Sequence, residues 1–151
     1  MRKVTLLFLL RDGHILLAMK KRGFGEGKWN GAGGKVEPGE TVEQAAIREC
    51  QEEIGVTPIN PELLGDFEFR MSHDPAFGHH AHVFVATKWE GEPHETEEMR
   101  PEWFANDAIP YASMWSDDPL WLPLVLQGKH FSGKITLGPR SEVVNSDISI
   151  S

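Results

Sequence analysis

The chain predicts an α+β fold, a mixed β-sheet sandwiched between helices, on three observations. Apolar runs of strand length recur along its 151 residues, only two segments carry helix signals, and turn signals separate the runs. Residues 3–10 are apolar, Asp12-Gly13 is a hairpin signal, and residues 14–20 form a second apolar run. Residues 23–39 hold seven glycines (Gly23, Gly25, Gly27, Gly31, Gly33, Gly34 and Gly39), which predicts a loop with unusual dihedrals or a close approach to a ligand. Thr41 with Gln44 three residues later makes a capping box for a helix to about Ile54, and Gly55 is placed to stop it. Residues 63–70 and 81–89 read as strands, with a His-rich loop from Ser72 to His80 between them. Residues 91–98 are an acidic loop, Trp103-Phe104 opens a short strand, and 105–110 is a turn. Asp117-Asp118-Pro119 starts a second helix over Leu120–Gln127, closed by Gly128, and 129–151 reads as a hairpin around Gly138-Pro139. No linker or repeat interrupts this order, so residues 1–151 are expected to form one domain.

Composition excludes several classes. With 40% hydrophobic and 25% charged residues the chain is of ordinary globular type. No apolar run reaches the roughly 18 residues of a membrane helix, so no membrane association is expected. The net charge of −8 argues against a protein that coats nucleic acid. Charge is uneven: residues 1–60 carry +1 and residues 61–151 carry −9. Lys20, Lys21, Arg22, Lys28 and Lys35 make a local basic patch, which suits a small anionic ligand. The lone Cys50 permits no intrachain disulfide and fits a reducing, cytoplasmic setting.

The chemistry concentrates on the first helix. Glu49, Glu52 and Glu53, at i, i+3 and i+4, fall within an arc of roughly 100°. Their face begins apolar, at Val42, Ala45 and Ala46. Clustered carboxylates repel, and burial raises their pKa values. A hard divalent cation such as Mg²⁺ or Mn²⁺ resolves the conflict. A solvated acidic face is the plain alternative on spacing alone. The glycine loop just before the helix can offer backbone groups to a metal or phosphate, and Gly33-Gly34-Lys35-Val36 is not a Walker motif.

Gly34-Lys-Val-Glu-Pro-Gly-Glu40, seven residues, then Arg48-Glu-Cys-Gln-Glu-Glu-Ile-Gly-Val56 resembles the Nudix box in every fixed position. Cys50 at an aliphatic position is a mild departure. The resemblance implies the Nudix fold and hydrolysis of a nucleoside diphosphate linked to another group. It implies Glu49, Glu52 and Glu53 as metal ligands, with the Gly33 carbonyl a further one and Mg²⁺ (or Mn²⁺) as the cofactor. Glu53 or Glu52 would orient or deprotonate the attacking water, and Arg48 would hold the glutamates. Glu40 would support the loop.

The likeness extends to the branch of that family acting on oxidised purine nucleoside triphosphates, through Met19–Gly25, Lys28–Gly31, Glu98–Pro101, Trp103-Phe104, Met114-Trp115 and Asp117-Asp118. By matching positions, Asn30, Asp117 and Asp118 would read the purine edge. Trp115 and Phe69 would flank the base, and Thr5, Lys20 and Phe24 would line the nucleoside pocket. Ala32, Gly33, Gly34, Lys35 and Ser116 would complete the substrate site, and Glu98 would add an acid to the metal site. Asp118-Pro119 also reads as a helix start, Asn30-Gly31 as a turn, and Trp115 as core. Ser116 replaces a proline of that pattern, and His79 falls near a pocket methionine. His79, His80 and His82 lack a cysteine or a fourth ligand at a recognised spacing, so no zinc site is expected there.

The expected activity is Mg²⁺-dependent conversion of oxidised purine triphosphates, such as 8-oxo-dGTP and 2-hydroxy-dATP, to monophosphate and pyrophosphate, in nucleotide-pool sanitation. Alternatives are a Nudix hydrolase for another nucleoside diphosphate derivative or a non-catalytic nucleotide sensor. The expected partner is a small-molecule nucleotide, bound by a cytoplasmic monomer with no nucleic-acid partner.

Overall fold

A computed structural model describes residues 1–151. Strand β1 (Arg2–Arg11) turns through Asp12 and Gly13 into β2 (His14–Lys20). Both turn residues have positive φ, 51° and 73°, the geometry a two-residue hairpin with right-handed twist requires. A short strand β3 (Trp29–Asn30) pairs with β2 inside the glycine-rich segment. Helix α1 spans Val42–Ile54. Its capping box is complete: Gln44 N–H donates to Thr41 Oγ1 at 3.1 Å, and Thr41 N–H donates to Gln44 Oε1 at 2.9 Å. Gly55, at φ 76°, closes it.

After β4 (Thr57–Pro58), β5 (Glu62–Met71) and β6 (Asp74–Ala86) form an antiparallel hairpin turning at Ser72-His73. The expected loop over Ser72–His80 is therefore strand. Asp74 and residues 78–80 pair with β5 on one side, with an irregularity between them, and His79 and His80 pair in parallel with Arg2 and Lys3 on the other. Two neighbouring strands outweigh the weak strand propensity of Pro75, Gly78 and the histidines. The expected strand 81–89 ends instead at Ala86, and β7 (Trp89–Glu90) pairs separately with β4. Strand β8 (Met99–Ala105) begins four residues before Trp103. It pairs with β2 alone, and such an edge tolerates Pro101. A 3₁₀ turn, Tyr111–Ser113, leads to helix α2 (Asp118–Leu126), then to the hairpin β9 (Phe131–Leu137) and β10 (Val143–Ile150).

The main sheet has eight strands in the order β10-β9-β5-β6-β1-β2-β3, with β8 also on β2. It is mixed: β1 with β6 and β5 with β9 run parallel, and the other pairs antiparallel. Alternation divides the side chains between two cores. Phe8, Ile15, Leu17, Phe67, Ala81 and Val83 pack with Trp121, Leu122 and Val125 of α2. Leu7, Leu9, Leu16, Ala18, Phe84 and Ala86 pack with Ala46, Cys50 and Ile54 of α1. Each helix therefore covers one face, which gives the α/β/α sandwich. Trp121 is 1% exposed and lies 5.5–6.1 Å from the rings of Phe8, Phe67 and Phe131. Its truncation to alanine would cost about 3–5 kcal/mol. No helix is long and apolar enough to cross a membrane.

Candidate active site

The last two turns of α1 bring Glu49 and Glu53 to the glycine loop, because Ala45, Ala46 and Cys50 anchor the same helix in the core, while Glu52 on the same helix meets Arg48. Glu53 is 5% exposed, and its Oε1 accepts from Gly33 N–H at 3.2 Å. The Glu49 side chain is also largely buried, whereas that of Glu52 is 59% exposed. Burial, a hydrogen bond with Glu49 and the Glu49 charge push the Glu53 carboxyl up to about 8, against the opposing charge of Lys20 and the Gly33 N–H. Two adjacent carboxyls sharing a proton in a buried setting are a pair that a divalent cation would relieve. The carboxylate oxygens of Glu49 and Glu53 are donors that suit a hard ion.

Arg48 ties the cluster together. Its guanidinium donates to both oxygens of Glu40, at 2.7 and 3.0 Å, to Glu49 at 2.9 Å, to Glu52 at 3.2 Å and to the Lys35 carbonyl at 3.1 Å. Such a planar fork fixes orientation as well as charge. Its bonds hold Glu40 below the usual carboxylate range. A side chain at Gly34 would displace Glu49: a Cβ there would lie 2.7 Å from Glu49 Cδ.

A cavity of about 980 Å³ opens beside Glu53. Lys20, Lys35, Gly33 and Gly34 line it next to the glutamates, with Thr5 and Asn30 on the sheet side. Thr5 is buried, its Oγ1 3.5 Å from the Gly34 carbonyl. Asn30 Oδ1 accepts from Gly31 N–H at 2.8 Å, so both its turn role and its place in the cavity hold, with the amide nitrogen as its free group. Phe24, Phe69 and Trp115 form aromatic walls, with Trp115 5.0 Å from Phe24 and 6.0 Å from Phe69. Phe24 is 58% exposed, the most solvent-open of these rings.

Asp117 and Asp118, each 2% exposed, also line the cavity. Neither side chain caps α2. Trp121 Nε1–H donates to Asp117 Oδ2 at 2.8 Å, whereas Asp117 Oδ1 and Asp118 Oδ2 are buried without a partner. Burial raises both carboxyls, and the Asp117 charge raises Asp118 further, well above the usual range.

Three expected residues lie elsewhere. Ser116 is exposed and donates its hydroxyl to the Ser141 carbonyl in the β9–β10 turn, which draws it out of the cavity. Ala32 packs in the α1 core, its backbone bridged to Leu7. Glu98 pairs with Arg22 rather than with the helix glutamates. Phe77 and His79 do line the cavity, with rings 4.5 Å apart, and Phe77 lies 5.6 Å from Phe24. The loop expectation for 72–80 hid Phe77. The alternation Phe77, His79, Ala81, Val83 continues the α2-facing row and was the available signal. Lys28 sits 5.2 Å over the Trp115 ring, adding a cation to that wall.

A three-layer sandwich with glutamates on one helix beside a glycine loop, opening on a cavity of nucleotide dimensions, defines a metal-assisted phosphoanhydride hydrolase architecture. The chain belongs to the Nudix family, whose NUDIX domain pattern matches residues 1–125. It is 51% identical over 130 residues to the oxidized purine nucleoside triphosphate hydrolase of Danio rerio, covering 86% of this chain and 83% of that protein. It is 47% identical over 132 residues to the enzyme of the same name from Mus musculus, covering 87% and 84%. Among solved structures, a MutT protein from Bacillus halodurans matches with a TM-score of 0.88 and 28% identity, over 99% of this chain and 98% of that one.

Proposed function

We propose that this protein hydrolyses oxidised purine nucleoside triphosphates, such as 8-oxo-dGTP and 2-hydroxy-dATP, to the monophosphate and pyrophosphate. It would thereby remove damaged precursors from the nucleotide pool. The observation that carries the reading is the pair of buried carboxyls, Asp117 and Asp118, each with an unpartnered oxygen, in the lining of the same cavity as Glu53. A site with unsatisfied buried polar groups discriminates strongly for a ligand that pairs them. A carboxyl held protonated donates, and its ionised neighbour accepts. Together with the Asn30 amide, such a pair matches the altered edge of an oxidised purine. The names and extent of the two animal relatives point the same way.

In this reading Glu49, Glu52 and Glu53, with the Gly33 carbonyl, hold Mg²⁺, which Mn²⁺ can replace. The cation supplies charge neutralisation for the phosphates and activation of the attacking water. Arg48 is a positioning residue: it aligns Glu49 and Glu52 and fixes the Glu40 loop. Glu53 or Glu52 takes the proton of the water. Lys20 and Lys35 meet the phosphate charge that remains. Trp115 and Phe69 flank the base, and Phe24 closes over it. Thr5 supports the loop at Gly34. Residues 1–151 act as one domain and a monomer on free nucleotides.

The test is kcat/KM with Mg²⁺ for 8-oxo-dGTP, 2-hydroxy-dATP, dGTP and dATP, with products identified. A preference of at least roughly tenfold for an oxidised purine, with pyrophosphate released, is expected. Equal rates on all four would overturn the assignment of Asp117 and Asp118.

A further inference from the structure

On the half of the sheet that α1 leaves uncovered, a second group of ligating side chains stands apart from the helix glutamates. Residues 80, 82, 84 and 86 of β6 share one face, and Phe84 and Ala86 of that row pack under α1. His80 and His82 extend the row beyond the helix. Across the strand pair, Asp66 of β5 is in register with His82, and Glu68 with His80. The ligating atoms of Asp66, His80 and His82 all lie within 4.8 Å of one another. Donors bound to one zinc-sized ion at 2.0–2.2 Å stand roughly 3.3–3.5 Å apart, so small side-chain shifts would close the set.

Two further observations point to a ligand. His82 is 7% exposed, and its Nδ1 is buried with no partner. Leaving such a group unsatisfied costs about 1–3 kcal/mol. Beside it, Asp66, Glu68, His80, Lys134 and Asp147 line a polar cavity of about 370 Å³ with no apolar side chain. Three carboxylates face one ammonium there, so the cavity favours a cation.

We propose that Asp66, His80 and His82 form a binding site for a divalent first-row transition ion of the zinc type, distinct from the glutamate site on α1. Two imidazoles and a carboxylate select such an ion over Mg²⁺, which prefers oxygen. The two histidines alternate with His79, which lines the nucleotide cavity, so the two sites lie on opposite faces of β6. Three protein donors leave a position for water or for Glu68. The ion would staple β5 to β6 where β5 departs from regular register, at Leu63/Gly65. The histidine spacing alone did not show this site, because the third ligand comes from the neighbouring strand.

The experiment is titration of the metal-free protein with Zn²⁺ in millimolar Mg²⁺, with histidine ring nitrogens followed by NMR. One Zn²⁺ per chain is expected, at micromolar affinity or tighter, shifting the His80 and His82 ring signals. Asp66→Asn and His80→Asn should each weaken binding by roughly 10- to 100-fold, and Glu53→Gln should leave it intact. Because His82 is buried, the ring shifts of the unaltered protein replace a His82 variant. Zinc that Glu53→Gln abolishes and His80→Asn spares would place the ion among the helix glutamates and overturn the proposal. Failure to bind at micromolar concentration would overturn it too, leaving His80 and Asp66 as a plain hydrogen-bonded pair.

Discussion

Trp121 Nε1–H holds Asp117 Oδ2 at 2.8 Å, and the other oxygen of that carboxyl is left buried with nothing to bond. The tryptophan is fixed by packing against Phe8 and Phe67 and stacking on Phe131, so the sheet core itself sets the orientation of a group that lines the cavity. Asp118, one residue on, has its own buried oxygen unpartnered. Replacing either carboxyl by an amide fixes which atoms donate. Asp117→Asn and Asp118→Asn are each expected to change the ratio of kcat/KM between 8-oxo-dGTP and 2-hydroxy-dATP. Unchanged ratios in both variants would remove the pair from base recognition.

The same pair has a stability consequence. Burial raises the Asp118 carboxyl well above its ordinary 3.8, so the folded chain holds a proton that the unfolded chain releases. The stabilisation is complete below the unfolded pKa and is lost as pH rises towards the folded one. Asp118→Asn needs no proton. It is expected to be more stable than the wild type at neutral and higher pH, by on the order of 1–3 kcal/mol, with a flatter profile. Urea unfolding across pH 4–9 measures this; parallel profiles would contradict it.

Helix α1 was legible in the sequence because its signals are local: Thr41 with Gln44, three residues apart, and Gly55 in the left-handed conformation. The hairpin at Asp12-Gly13 was legible for the same reason. Strand 74–80 was not, since its pairing comes from Glu68–Met71 on one side and Arg2-Lys3 on the other. The sequence placed Asp117 and Asp118 together, but only the fold shows that they share a cavity with Glu53. Ser116 and Glu98 went astray through partners distant in sequence, Ser141 and Arg22. A motif match assigns a position and carries no information about such bonds.

Adjacent glycines of the loop should fail differently. A Cβ on Gly33 would run into the Thr5 backbone, which cannot move without breaking β1. Gly33→Ala should therefore destabilise the fold by about 1–3 kcal/mol. A Cβ on Gly34 meets only the Glu49 carboxylate, at 2.7 Å. Gly34→Ala should keep most of its melting temperature while losing activity and metal affinity. Thermal melts and Mg²⁺-dependent rates on both variants separate the two; equal melts would refute the distinction.

Arg48 bonds Glu40, Glu49 and Glu52 at once, and only its planar fork reaches all three. Arg48→Lys keeps the charge but not the geometry. A loss of about 10- to 100-fold in kcat/KM is expected, with a higher Mg²⁺ requirement. A variant with wild-type Mg²⁺ dependence would show that the glutamates align without it.

The final prediction concerns the proton on Glu53. Without metal, burial and the adjacent Glu49 push this carboxyl from 4.5 to about 8. A cation that binds the carboxylate must displace the proton, so at pH below about 8 metal competes with hydrogen ion. Apparent Mg²⁺ affinity should rise roughly tenfold per pH unit between pH 6 and 8 and level off above, with proton release on binding. The sign for folding is opposite. The raised pKa stabilises the metal-free fold fully below 4.5, and this contribution fades as pH rises through about 8. Mg²⁺ should therefore raise the melting temperature more at pH 8 than at pH 6. Calorimetry in buffers of different ionisation enthalpy counts the released proton directly. Binding without proton release at pH 6.5 would mean that Glu53 is already ionised there and would overturn its raised pKa.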